Sequence, residues 1–207
     1  MNKNIYKVFT AISFALLIAA PGRFAFGLVI CLELFFLVLT GFLFSFLFKK
    51  LEFTQLNSIT TVVALVFSTL LYKQIIAAIF PLIALQMSFV FYLPAVSSYM
   101  IGIIHKNVET STRLSLIDNI KTVSFFSAIA LVFYLIRDIF GYGTFTLPST
   151  EGLIEKIIFK TDSFSWTTFF ASIPGALVLV AFAILILIFV QSKFEIIERA
   201  GDSYDSE

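Results

Sequence analysis

The chain has 207 residues, of which 59% are hydrophobic and only 13% charged, with a formal net charge of +1 and a mean hydropathy of +1.01. That composition excludes an ordinary soluble domain, which needs a polar surface to cover its core, and no nucleic-acid partner is expected. One cysteine allows no internal disulfide, and one histidine allows no paired imidazole ligands.

Six apolar runs joined by short polar segments predict an all-α polytopic membrane protein with six transmembrane segments. The first run, residues 8–20, covers 13 positions and stops at Pro21-Gly22-Arg23. This is short of the roughly 20 residues needed to cross the hydrocarbon, so the run is expected to enter the membrane without spanning it alone. Residues 24–48 form a 25-residue run closed by Lys49-Lys50, long enough to cross with some tilt. The third run, 59–80, is interrupted by Lys73-Gln74, and the fourth, 82–104, carries Pro94 and Ser97-Ser98 in its middle. Pro94 is expected to kink or break that helix. The fifth, 122–140, ends at Gly141, and the sixth, 169–190, has Pro174-Gly175 near its start. Residues 1–192 make one membrane domain, and the acidic segment 193–207 is expected to be a disordered cytoplasmic tail.

Lys and Arg placement orients the chain. With the N-terminus inside, the cytoplasmic joints hold Lys3, Lys7, Lys49, Lys50, Lys106, Arg113, Lys121, Lys193 and Arg199, nine of the 14. Arg23, Lys73, Arg137, Lys156 and Lys160 fall outside, so both termini are expected in the cytoplasm. A cleaved signal peptide over residues 1–20 is a rival reading. Ile18 fits a cleavage site poorly, and cleavage would leave an odd number of spans.

The longest joint, 141–168, places Ile154, Ile157 and Ile158 on one side of a helix and Glu151, Glu155 and Lys156 mostly on the other. Residues 151–160 therefore suit either a helix on the membrane surface or a plain connecting loop, with Tyr142 and Trp166 at headgroup level.

No glycine-rich phosphate loop or nucleophile elbow is present, and no self-contained active site is expected. His105 reads as a solvated joint residue, Cys31 as a small apolar filler, and the 27 Phe residues as lipid-facing and core filler. Ionisable residues at membrane depth are stronger candidates, because an unpaired charge in hydrocarbon is costly. Glu33 lies about ten residues into the second run, roughly 15 Å from its start and near the midplane. It reads as a proton or cation relay, or as half of a buried structural pair. Lys73 and Arg137 could snorkel to the outer interface or pair with Glu33, and Arg137-Asp138 could neutralise its own neighbourhood.

Several stretches resemble a known family. Ile117-Asp118-Asn119-Ile120, an apolar helix, and then Leu135-Ile136-Arg137-Asp138-Ile139-Phe140-Gly141-Tyr142-Gly143 are similar to a pattern in the six-helix membrane subunits of Rnf and Nqr complexes. Ser172-Ile173-Pro174-Gly175-Ala176 resembles the opening of that family's last span, and Gly102 with His105-Lys106 stands near its Gly-Arg pair. The resemblance implies two inverted three-helix halves, here about 1–80 and 81–192, each beginning with a short or broken helix. It also implies location in the bacterial inner membrane and partnership with other membrane subunits, including a related six-helix one. Such complexes couple electron transfer to Na⁺ or H⁺ movement.

The family's cluster cysteines would fall near Ala15 and near Ser98, where this chain has none. An iron–sulfur cluster ordinarily takes four protein ligands, so no cofactor is expected in this chain, and any cluster or flavin would sit on partner subunits. The alternative is a stand-alone inverted-repeat transporter of an ion or small solute, with the substrate between the Pro21 and Pro94 breaks. A purely structural membrane subunit is a third reading.

Overall fold

The computed structural model describes residues 17–50, 57–97, 112–159 and 167–204. The described elements are α1 (Phe24–Lys50), α2 (Asn57–Ile79), α3 (Pro81–Gln86), α4 (Tyr92–Val96), α5 (Thr112–Tyr142), β1 (Thr144–Ser149), β2 (Gly152–Ile157), α6 (Thr167–Ala171) and α7 (Ile173–Tyr204). Long apolar sequences take up helix because, away from water, only internal pairing satisfies the backbone. Among the described residues three helical stretches are long and apolar enough to cross a membrane: Phe24–Leu47, Ile59–Ile79 and Leu116–Tyr142. Their outward faces carry Leu32, Leu43, Val63, Phe67, Phe125 and Val132, all at least half exposed, as suits contact with lipid. The chain is therefore a mostly helical protein of membrane-embedded character, and three of the six expected spans are present in this form.

α1 is the central element, packed between α5 and α2. On the α5 side the Tyr134 ring lies directly over Gly27, where any Cβ would collide with it. The missing side chain lets the two helices approach closely, the usual device for packing helices in lipid. One turn on, Cys31 Sγ donates to the Ser127 carbonyl at 3.6 Å, which makes the thiol a packing group, as expected. On the α2 side the Tyr72 hydroxyl donates to the Val29 carbonyl at 2.7 Å. The Tyr72 ring packs against Phe36 and, edge-on, against Phe91, with centroids 5.5 and 5.9 Å away.

The third run forms one helix that continues through the polar pair Lys73-Gln74. Lys73 reaches out of the helix to donate to Ser88 Oγ at 3.0 Å, and its ammonium lies 5.4 Å from the Tyr92 ring centre. Its charge is thus met without opening the backbone. The fourth run departs from the expected span: its described part forms two short helices, with turns at residues 87–91 between them. Pro81 opens α3 at a position where no N–H is needed. Pro94 cannot donate to Val90, and the Leu93 N–H takes that carbonyl instead at 3.1 Å. Residues 98–104 of the same run, like 1–16 of the first, lie outside the described residues.

The joint after α5 is a β-hairpin rather than the surface helix allowed for residues 151–160. β1 and β2 pair antiparallel from Thr144↔Ile157 to Ser149↔Gly152, closing on Thr150-Glu151. The anchoring of β1 to Asp138, through the Thr146 backbone and side chain, overrides the helical spacing of the isoleucines. Ile154, Ile157 and Ile158 are all exposed. The sixth run breaks at Ser172, whose hydroxyl donates to Phe169 O at 2.6 Å and accepts the Gly175 N–H at 3.4 Å, capping α7. α7 then continues through Tyr204, across most of the segment expected to be a tail.

The Gly27 contact yields a direct test. Gly27→Val should displace the Tyr134 ring and destabilise the bundle by about 1–3 kcal/mol, the usual range for overpacking. A thermal unfolding scan in detergent should show a lower midpoint for this variant. Leu43→Val, an exposed position on the same helix, should leave the midpoint unchanged.

Candidate functional site

Among the described residues the buried charged side chains lie at two places, one at the end of α5 and one midway along α1. At the end of α5, Arg137 and Asp138 are both buried, at 2% and 0% exposure. They follow each other in sequence but serve opposite kinds of helix end.

Asp138 accepts four hydrogen bonds, from Phe24 N at 3.1 Å, Thr146 N at 2.8 Å, Thr146 Oγ1 at 2.6 Å and Thr144 Oγ1 at 2.9 Å. Phe24 is the first residue of α1, so the carboxylate meets the unpaired N–H groups and positive dipole end of that helix. Thr146 Oγ1 extends the cap by accepting the Ala25 N–H at 3.2 Å. Arg23 completes the group: its Nη1 donates to Thr144 Oγ1 at 3.0 Å and lies 3.1 Å from Glu155 Oε1 and 4.0 Å from Asp138 Oδ1. Its guanidinium also stacks 4.0 Å from the Tyr142 ring centre. One carboxylate thereby fixes the start of α1, the end of α5 and the hairpin.

Arg137 binds carbonyls. Nη1 donates to Leu17 O at 3.4 Å and Ala20 O at 3.1 Å, and Nη2 donates to Ala171 O at 3.3 Å. Residues 17–19 are helical and Ala171 ends α6, so the cation faces the carbonyl ends of two helical segments. Tyr134 OH donates to Leu17 O as well, at 3.1 Å. Gly22 leaves the room this requires, since a Cβ there would come within 2.9 Å of Arg137 Nε.

The second place is Glu33, fully buried in α1, with neither carboxyl oxygen hydrogen-bonded. Of the readings the sequence allowed, the pairing of Glu33 with Lys73 or Arg137 is not made. Lys73 is engaged by Ser88 and Tyr92, and Arg137 by the three carbonyls. Tyr72 stands beside Glu33, held between Val29 and Phe36, one turn to either side of it on α1.

Of the sequence-derived candidates, the structure brings Arg137 and Asp138 into one knot and leaves Glu33 and Lys73 apart from it and from each other. Sequence reading missed Arg23, Thr144 and Thr146 as parts of the knot. The available signal was the alternation Thr144-Phe145-Thr146 directly after a helix carrying an acid in its last turns, which suits hydroxyls folding back on a carboxylate.

Comparison with known proteins yields no match to any protein-family model and no match to a curated protein. Among the described residues no group of three or more His, Cys, Asp or Glu side chains is placed to hold a metal ion. The residues do not fit an iron–sulfur cluster either, because the single cysteine of the chain is buried between α1 and α5.

Two substitutions test the knot. Asp138→Ala should cost several kcal/mol, about 1–3 for each buried donor left without a partner, and should expose the 144–157 hairpin to limited proteolysis. Arg137→Met should free residues 17–20 and α6 while leaving the hairpin protected. Fragment mapping by mass spectrometry separates the two patterns, and identical patterns would show that the two side chains do not act on separate segments.

Proposed function

We propose that the chain is an integral membrane subunit of an Rnf/Nqr-type ion-translocating electron-transport complex, in the bacterial inner membrane, without an iron–sulfur cluster or flavin of its own. The observation that carries this reading is the reach of Arg137 to the carbonyl of Ala171. The two stretches that resemble the family, 135–143 and 172–176, are far apart in sequence, yet this guanidinium ties one to the residue directly before the other.

On this reading the chain contributes packing and shape. Arg137 and Asp138 are positioning residues, since every hydrogen bond they make goes to this chain's own backbone and hydroxyls. Redox groups would be carried by partner subunits, including a related six-helix one, and the coupled ion is Na⁺ or H⁺. The two inverted halves and the cytoplasmic placement of both termini belong to the same proposal.

Purification of the tagged protein in mild detergent tests it. Co-purification of membrane subunits bearing flavin or iron–sulfur clusters is the expected result, with iron and visible absorbance lost from the chain once the partners are stripped away. A colourless homo-oligomer, isolated alone, would overturn this reading in favour of a stand-alone transporter.

A further inference from the structure

We propose that Glu33 is an exchangeable monovalent-cation site within the membrane-spanning bundle, its carboxyl held by a proton that it can release, with Na⁺ as the competing cation. The inference concerns α1 and α2 alone and does not rest on the electron-transport reading.

Three observations carry it. First, Glu33 is fully buried and both of its oxygens lack a partner, whereas the other buried acid among the described residues, Asp138, accepts four hydrogen bonds. An ionised carboxylate in that state bears its full desolvation cost with nothing to offset it. Second, the depth is right for a membrane-embedded site. Glu33 is nine residues into the apolar stretch Phe24–Leu47, about 14 Å from its start at the helical rise.

Third, the hydroxyls on the buried face of α2, of which Tyr72 stands beside Glu33, give their protons to backbone carbonyls. Tyr72 gives its proton to Val29 O, Ser68 to Ala64 O at 2.8 Å and Thr69 to Leu65 O at 3.1 Å. All three residues are buried, and Ser68 and Thr69 lie about one turn from Tyr72 along the same helix. Each hydroxyl retains lone pairs and has no proton to offer. Tyr72, the hydroxyl beside Glu33, thus offers the carboxyl an acceptor and no donor, which suits a carboxyl proton or a small cation better than a bare carboxylate.

Among the described residues, the neighbouring elements supply no fixed positive charge in its place. α2 presents Tyr72, while its Lys73 is turned to Ser88 and to Tyr92 of α4. α5 presents Tyr134, Arg137 and Asp138, all engaged at the far knot. β1 carries no titratable side chain, and Cys31 of α1 itself is turned to Ser127.

The test is labelling of the full-length protein, reconstituted in lipid nanodiscs, with the apolar reagent dicyclohexylcarbodiimide, which adds to protonated carboxyls. Peptide mass spectrometry reads the modified residue. The expected result is an adduct on Glu33 whose rate falls about tenfold per pH unit above a midpoint, as the neutral fraction does, and no adduct at that peptide in Glu33→Gln. Slowing of the reaction by Na⁺ but not by choline would show that the site also takes Na⁺. Labelling indifferent to Na⁺ would show that it takes protons alone. The first supports the proposal, and the second overturns its assignment of Na⁺ as the competing cation. Absence of an adduct at every pH, or an adduct formed at a rate that neither pH nor Na⁺ alters, would overturn it. Wild-type labelling is assigned by its peptide, so the result stands whether or not the Gln variant folds.

Discussion

A carboxylate and a guanidinium on consecutive residues of α5 hold the helix ends that define this bundle. Asp138 closes the amide end of α1, and Arg137 closes the carbonyl ends of residues 17–20 and of α6. A helix end away from water leaves backbone groups without partners, and each such group costs free energy comparable to a lost hydrogen bond. Charged partners answer this best, because hydrogen bonds to ionised groups contribute about 1.5–3 kcal/mol each. The position of α1 relative to α5, the hairpin, and the break before α7 all follow from where those two side chains reach.

The knot also explains why backbone irregularity is tolerated here. Pro21-Gly22-Arg23, the hairpin and Ser172 are non-helical segments close to long apolar helices. Such segments survive near a membrane only where protein groups satisfy their backbone. Gly22 contributes by leaving space for the guanidinium, and Thr144 and Thr146 by directing hydroxyls at Asp138. Arg23 spans from Thr144 to Glu155 and so ties the second strand to the same group.

Against the well-bonded Asp138, Glu33 is the opposite electrostatic case. Within the same pair of packed helices one acid has more donors than it has oxygens, and the other has none. The contrast separates a group that fixes the architecture from one whose bonding is left open. Lys73 belongs with the first kind, since it leaves α2 to meet Ser88 and Tyr92 at the bundle edge.

Much of the architecture was legible in the residues. Apolar length foretold α1, α2 and α5, Pro94 foretold a break in the fourth run, and an intramembrane acid drew attention to Glu33. The strand over 152–157 was not legible, because the spacing of Ile154, Ile157 and Ile158 suits a helix and only the pairing with β1, itself anchored to Asp138, makes it extended. The partners of Arg137 were equally hidden, since all three are backbone carbonyls, which carry no side-chain signature. By itself the sequence determined the solvent, the long helices and the few places where charge is carried to depth, because hydrophobicity and helix length are local properties. Only the tertiary structure decided which helix ends those charges close, and that Glu33 closes none, because hydrogen-bond satisfaction depends on groups more than 100 residues away in the chain.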